Sequence, residues 1–157
     1  MSLPNPLAVP VIVLQLIKKN IKKINKRLIY CSISGFGSSG PYKNRPGFDL
    51  VAQGMSGVMS FTGLEDGTLV KIGVPSGDLN SGLYGSYGIL SAYINLLKTG
   101  KGQFVDTSLL DASIAYTFWQ AAVYFSTSEI PHPLGTKHPL TAPYQVFKTR
   151  DSHIVLG

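Results

Sequence analysis

The sequence predicts an α/β protein. Two short apolar runs of strand character lie at residues 28–33 and 103–108. Between them Leu79, Leu83, Tyr87, Leu90, Ile94 and Leu97 recur every three or four residues. That spacing puts the apolar side chains on one face of a long helix, and alternation of strand and helix patterns defines the α/β class. A length of 157 residues suits one domain with a real core. A hydrophobic share of 44% against 14% charged residues excludes a disordered chain. The low charge and the 17 glycines point to closely packed or partner-covered surface.

In chain order, Leu14, Ile17, Ile21, Ile24 and Leu28 form the apolar face of a first amphipathic helix. Between them stand Lys18, Lys19, Lys22, Lys23, Lys26 and Arg27, six of the 14 basic residues in a chain of net charge +6. This is the solvated face of a helix, and without an interleaved aromatic and basic pattern no nucleic-acid partner is expected. The apolar stretch Leu7 to Ile17 is shorter than the ~20 residues that a bilayer requires, and its charges follow it, so neither membrane partner nor secretory signal is expected. The expected compartment is cytoplasmic, with an organellar matrix as the alternative because acidic residues are missing from the first segment. The lone Cys31 excludes an intramolecular disulfide and reads as a buried thiol.

The strand at 28–33 runs into Gly35-Phe36-Gly37-Ser38-Ser39-Gly40, which is G-x-G-x-x-G letter for letter. A dinucleotide fingerprint needs a helix to open at the third glycine so that its N-terminus faces pyrophosphate. Here Pro41 and Pro46 follow, and the second would break that helix. The acidic residue expected ~20 positions later is also missing from a strand end, since Glu65 and Asp66 sit in a turn. The motif therefore reads as a structural turn.

Phe48 to Ser60 begins as a helix, Glu65-Asp66-Gly67 makes a hairpin-like turn, and Leu69 to Val74 reads as a short strand ended by Pro75-Ser76-Gly77. The strongest helix follows, with Gly100 as its expected C-terminal cap. Its other face carries Gly82, Gly85, Ser86 and Gly88, which lower helix propensity and imply close approach of a backbone or a ligand. After the basic turn Lys98 to Gly102 come a strand at Gln103 to Ser108 and an apolar helix from Leu109 to about Tyr124 containing Trp119. Pro131, Pro133, Pro139 and Pro143 mark a linker and irregular loop, and His153 to Leu156 is a final strand. A chain that opens on a lone helix and stops at a strand is expected to be part of a longer domain.

One residue stands out chemically. Asp78, in Val74-Pro75-Ser76-Gly77-Asp78, immediately precedes the strongest helix. It reads either as an N-cap or as a nucleophilic carboxylate favoured by the positive helix end and given room by glycine. Asp49 is another cap or a second acidic group near a site; Asp106 and Asp111 read as structural. His132 and His138, in a proline-rich loop without nearby cysteine, do not have metal-ligand spacing, so no metal site is expected.

Five segments in register, RLIYCSISGFGSSGPY, RPGFDLVAQGMSGVMSFTG, KIGVPSGDLNSGLYG, LKTGKGQFVDTSLLDA and LGTKHPLTAPYQVFKT, resemble the family III CoA-transferases (CaiB/BaiF, formyl-CoA transferase-like). The resemblance implies a fragment of that fold: an unmatched segment at 1–20, part of a Rossmann-like CoA-binding large domain at 21–115, a linker helix at 116–134 and the start of a small domain at 135–157. It implies transfer of CoA between an acyl-CoA and a carboxylic acid through an acyl-aspartyl anhydride and an aspartyl-CoA thioester on Asp78. Phe48, Asp49 and His138 become substrate contacts, and Gly77, Gly35 and Gly37 the oxyanion and loop positions. Coenzyme A thioester is then a substrate rather than a tightly bound cofactor, and the full-length form is an interlocked homodimer. Family racemases carry a histidine where this chain has Phe48, which cannot exchange a proton, so transferase is favoured. A non-catalytic remnant or assembly partner of a longer transferase is the alternative.

Overall fold

The computed structural model describes residue 20 and residues 23–157. Most of the first amphipathic helix lies outside these residues. Strand β1 (Tyr30–Ser34) pairs in parallel with β2 (Phe104–Ser108), in the register Tyr30 to Phe104 through Ser34 to Ser108. The Tyr30 and Phe104 rings stack across the pair at 5.6 Å. Two parallel neighbours need a long crossover, and here it contains helix α1 (Asp49–Met55), a 3₁₀ turn (Val58–Ser60) and the 24-residue helix α2 (Ser76–Thr99). Gly100, at φ +70°, ends α2 in the left-handed conformation expected of a C-terminal glycine.

The expected helix from Leu109 is interrupted. It divides into α3 (Leu109–Ile114), a 3₁₀ turn (Ala115–Thr117) and α4 (Phe118–Thr127). Ser108 caps α3, its Oγ accepting from the Asp111 N–H at 3.0 Å, so Asp111 is structural as its position suggests. Asp106 is structural too, accepting from the Ser38 amide at 2.9 Å. The final strand, β4 (His153–Leu156), is joined by a partner that the sequence pattern did not single out, β3 (Gln145–Lys148), in an antiparallel hairpin. The strand expected at 69–74 is absent: Leu69 makes one isolated bridge to Gly63 and the rest is irregular. Its backbone is instead served by a side chain, as described below.

Two glycine sets explain the packing. Gly85 and Gly88 turn the glycine face of α2 onto the sheet. A Cβ at Gly85 would stand 3.4 Å from both Cys31 Sγ and Ile33 Cδ1, and one at Gly88 would stand 2.5 Å from Val105 Cγ1. The apolar stripe that identified the helix faces outward, with Leu79, Leu83, Tyr87, Leu90, Ile94 and Leu97 each more than half exposed. The second set explains the glycine-rich motif. Gly35 crosses Gly47 so closely that a Cβ on either would overlap the other's backbone, while Gly37 (φ +80°) and Gly40 (φ +83°) make the turns between. The motif is a structural turn that brings Phe48 and Asp49 back to the end of β1.

Gly35→Ala is expected to destabilise the 157-residue chain by about 1–3 kcal/mol through backbone overlap. Gly82→Ala, with open space at its Cβ position, is expected to stabilise it by roughly 0.5–1 kcal/mol. Urea unfolding followed by circular dichroism separates the two; equal midpoints would contradict the crossing. Burial, and secondarily the Asp106 carboxylate, pushes the Cys31 thiol above its ordinary range. At pH 8 its thiolate fraction is therefore lower than that of a free cysteine, and iodoacetamide should label it more slowly than in urea.

Candidate active site

The carboxyl ends of β1 and β2 meet the start of α2, because a crossover helix runs back against parallel strands. In α/β sheets this edge is where ligands bind. The first turn of α2 contains Ser76, Gly77 and Asp78, with Pro75 as the N-cap residue and no side-chain cap of its own. Asp78 is therefore not the N-cap: it stands in the third helical position, exposed. Among the described residues no hydrogen bond or ion pair holds its carboxylate. The positive end of a long helix lies beneath it, which favours negative charge there.

The capping role expected of Asp78 is filled from another element. Asp49, in the first turn of α1, accepts the Gly77 N–H through Oδ1 at 2.7 Å. Its Oδ2 accepts from Gln53 Nε2 at 2.7 Å, one turn along α1. Gln53 is fully buried, and its Oε1 accepts the Ile72 N–H at 2.8 Å. The Gly77 amide is thus directed at Asp49, leaving Ser76 and Asp78 as the first-turn amides without an intramolecular acceptor among the described residues. Gly77 also has to be small: a Cβ there would lie 2.8 Å from Ser113 Oγ and 3.1 Å from Asp49 Oδ1. Ser113 and Ser76 are buried, with hydroxyls that find no partner among the described residues.

Phe48, the residue before α1, is in extended conformation beside Asp49 and is 60% exposed. Gly35 lies beneath the same corner, where its carbonyl accepts the Leu110 N–H at 3.1 Å, and the Gly37 N–H donates to Ser34 Oγ at 3.0 Å. The structure thereby brings Asp78, Gly77, Asp49, Phe48 and Gly35 to one edge. His138 is placed differently. Its ring lies between Trp119 (5.1 Å) and Tyr144 (4.9 Å), and its Nδ1 accepts the Leu140 N–H at 3.2 Å. Its loop is tied to the 63–65 turn, where Gly135 donates to the Gly63 carbonyl at 3.0 Å and Lys137 pairs with Glu65 at 2.6 Å. Gln53 is the site residue that the sequence reading missed. A glutamine four residues after Asp49 in a helix was the available signal, since that spacing places the two side chains together.

Among the described residues no cluster of three or more His, Cys, Asp or Glu side chains forms a metal site. Nor is any described helix long and apolar enough to cross a membrane.

Fold and site define a class: an α/β protein that presents a glycine-framed carboxylate at the carboxyl edge of a parallel strand pair. The chain belongs to CoA-transferase family III, which it matches over residues 12–157. It is 41% identical over 139 residues to the succinate–glutarate CoA-transferase of Agrobacterium fabrum, covering 88% of this chain and 35% of that protein. Against the human succinyl-CoA:glutarate CoA-transferase the identity is 42%, covering 88% of this chain and 32% of that one. A crystal structure of a CaiB/BaiF family protein from Brucella suis superposes with a TM-score of 0.82 at 40% identity, covering 90% of this chain and 39% of that one. The chain thus spans about a third of the length of the relatives it matches, and its α/β structure corresponds to that part of the family fold.

The buried Ser113 hydroxyl has no partner among the described residues, so Ser113→Ala removes an unsatisfied polar group. Its expected effect is a gain of about 1 kcal/mol in stability, read from the urea midpoint. A loss of similar size would mean that the hydroxyl has a partner in solution.

Proposed function

We propose that this chain carries the nucleophile of a CoA-transferase, and that the nucleophile is Asp78. The observation that supports this best is a carboxylate at the start of a 24-residue helix, exposed and without a hydrogen bond among the described residues, while a second aspartate supplies the helix cap. A carboxylate committed to capping is a poor nucleophile, whereas one released from that role keeps its lone pairs for a substrate.

The proposed reaction is the one that the family resemblance implies for such a carboxylate. An Asp78 oxygen attacks the thioester carbonyl of an acyl-CoA, forming an acyl-aspartyl anhydride as the C–S bond breaks and CoA leaves as thiolate. The thiolate then attacks the Asp78 carbonyl, giving an aspartyl-CoA thioester and releasing the first acid as its carboxylate. An acceptor carboxylate reverses both steps: it displaces CoA from Asp78 as a new anhydride, and CoA takes the acceptor acyl group, regenerating the Asp78 carboxylate. The proposed oxyanion donors are the Ser76 and Asp78 amides, since Gly77 faces Asp49. Phe48 is proposed to pack beside the acyl group and His138 to line the approach from its loop. Gly35 and Gly37 shape the floor.

The relatives' names point to a CoA thioester of a small acid as donor and a dicarboxylate as acceptor; succinyl-CoA and glutarate are the first pair to try. The proposed organisation keeps a large-domain portion at 21–115, a linker helix at 116–134 and the beginning of a small domain at 135–157. Support for the last comes from the separate β3–β4 hairpin. A homodimer of the full-length form and a cytoplasmic location complete the reading. The uncovered apolar stripe of α2 favours one other reading, in which the chain acts as a non-catalytic partner of a longer transferase.

Incubation with succinyl-CoA and hydroxylamine, followed by peptide mass spectrometry, decides between them. A hydroxamate at Asp78, absent from Asp78→Asn, is expected. A folded chain that gives no adduct would sink the catalytic reading and leave the non-catalytic one.

A further inference from the structure

We propose that Asp49 and Gln53 form a positioning clamp for the nucleophile, acting on the backbone that leads to Asp78 rather than on substrate. The inference rests on Asp78 being the nucleophile. The segment 70–75 has no regular secondary structure, yet it must deliver Asp78 in a fixed direction. The clamp holds this segment at two points and the first turn of α2 at a third. Gln53 Oε1 takes the Ile72 N–H at 2.8 Å, Gln53 Nε2 reaches the Val74 carbonyl at 3.4 Å, and Asp49 Oδ1 takes the Gly77 N–H at 2.7 Å. The two side chains are themselves joined, Gln53 Nε2 donating to Asp49 Oδ2 at 2.7 Å.

The polarity of the chain is determined. Ile72 presents a donor, so the Gln53 oxygen must face it. The Gln53 nitrogen must then face Asp49, where only an acceptor satisfies it. The Gly77 amide is a second donor, so the residue at 49 needs two acceptors. Gln53 is 0% exposed, and an error in this pattern buries an unpaired group. With both oxygens of Asp49 committed to protein donors, the residue expected from the sequence as a substrate contact is a positioning residue. Gly77 without a Cβ lets the carboxylate approach, since a methyl there would stand 3.1 Å from Oδ1.

A donor–acceptor exchange tests this. In Asp49→Asn the Oδ1 atom can still accept from Gly77, but the new amino group meets the Gln53 amino group. Gln53→Glu sets a carboxylate oxygen against the Asp49 carboxylate. In the double variant Asp49→Asn/Gln53→Glu, the asparagine amino group donates to glutamate, which still accepts from Ile72; only the long 3.4 Å contact to the Val74 carbonyl is lost, and the net charge is that of the original pair. The rate of Asp78 hydroxamate formation at saturating succinyl-CoA is measured well below each variant's melting midpoint. Each single variant is expected to lose on the order of 10²-fold, with the half-saturating succinyl-CoA concentration little changed. The double variant is expected to recover most of the rate. A double variant no faster than Asp49→Asn, or single variants as fast as the original chain, would overturn the clamp.

If the original chain gives no Asp78 adduct, the catalytic reading fails separately, and the clamp is then judged by amide hydrogen exchange at Gly77. Protection in the original and double-variant chains, reduced in Asp49→Asn and Gln53→Glu, upholds it. Fast exchange in the original chain overturns it.

Discussion

The hydrogen bond from the Gly77 amide to the Asp49 carboxylate is the constraint on which the rest of the site depends. A helix N-terminus presents amides that require acceptors, and the nearest acidic side chain ordinarily folds back to supply one. In this chain the acceptor comes from 28 residues earlier. The substitution has two effects at once. It fastens α1 to α2 through a charge-assisted bond, and it leaves the aspartate of the helix's own first turn exposed, its oxygens without a hydrogen bond among the described residues. In the proposed reading, structure and chemistry are thus divided between two carboxylates of the same type.

That division works only because the backbone beside it is stripped of side chains. Gly35 and Gly47 cross with no room for a methyl group on either, and this crossing returns the chain from the end of β1 to the start of α1. Without it Asp49 would not reach the helix end. Gly77 repeats the device on the other side of the bond, against Ser113. Most of the buried residues around this corner are small or polar: Ala52, Ala112, Ser76, Ser81, Ser108 and Ser113 are buried together with Gln53 and Leu109. Position, rather than bulk of apolar burial, is what these residues provide.

Much of the architecture was legible because it is local. The 3–4 residue recurrence from Leu79 to Leu97 and the glycine at 100 marked α2 and its end, and the two prolines after Gly40 ruled out a nucleotide loop. What failed was non-local. Leu69 to Val74 has strand composition, but its Ile72 amide is satisfied by Gln53, so no ladder forms. The two readings of Asp78 stay open in the sequence for the same reason: spacing along the chain cannot show that Asp49 reaches the helix end first. The strand pattern of Gln145–Lys148 is short and closely follows a proline, so the sequence does not single it out, and only the pairing with His153–Leu156 completes it. Which side of α2 meets the sheet was open as well, since a stripe of leucines and a stripe of glycines both qualify, and Gly88 against Val105 decides it.

The parallel pair has a consequence for how the chain assembles. Tyr30 and Phe104 are neighbours across the sheet yet lie 74 positions apart, from 104 minus 30. A hairpin such as β3–β4 closes on the order of microseconds, whereas a pairing of this span must first gather a large loop, whose entropic cost is met before any contact offsets it. Helix α2 has local turns to build from, so its glycine face is ready before the two strands that cover it have met. During synthesis β2 emerges last of the three elements. The edge that presents Asp78 therefore takes shape only after Phe104 to Ser108 has left the ribosome and found β1.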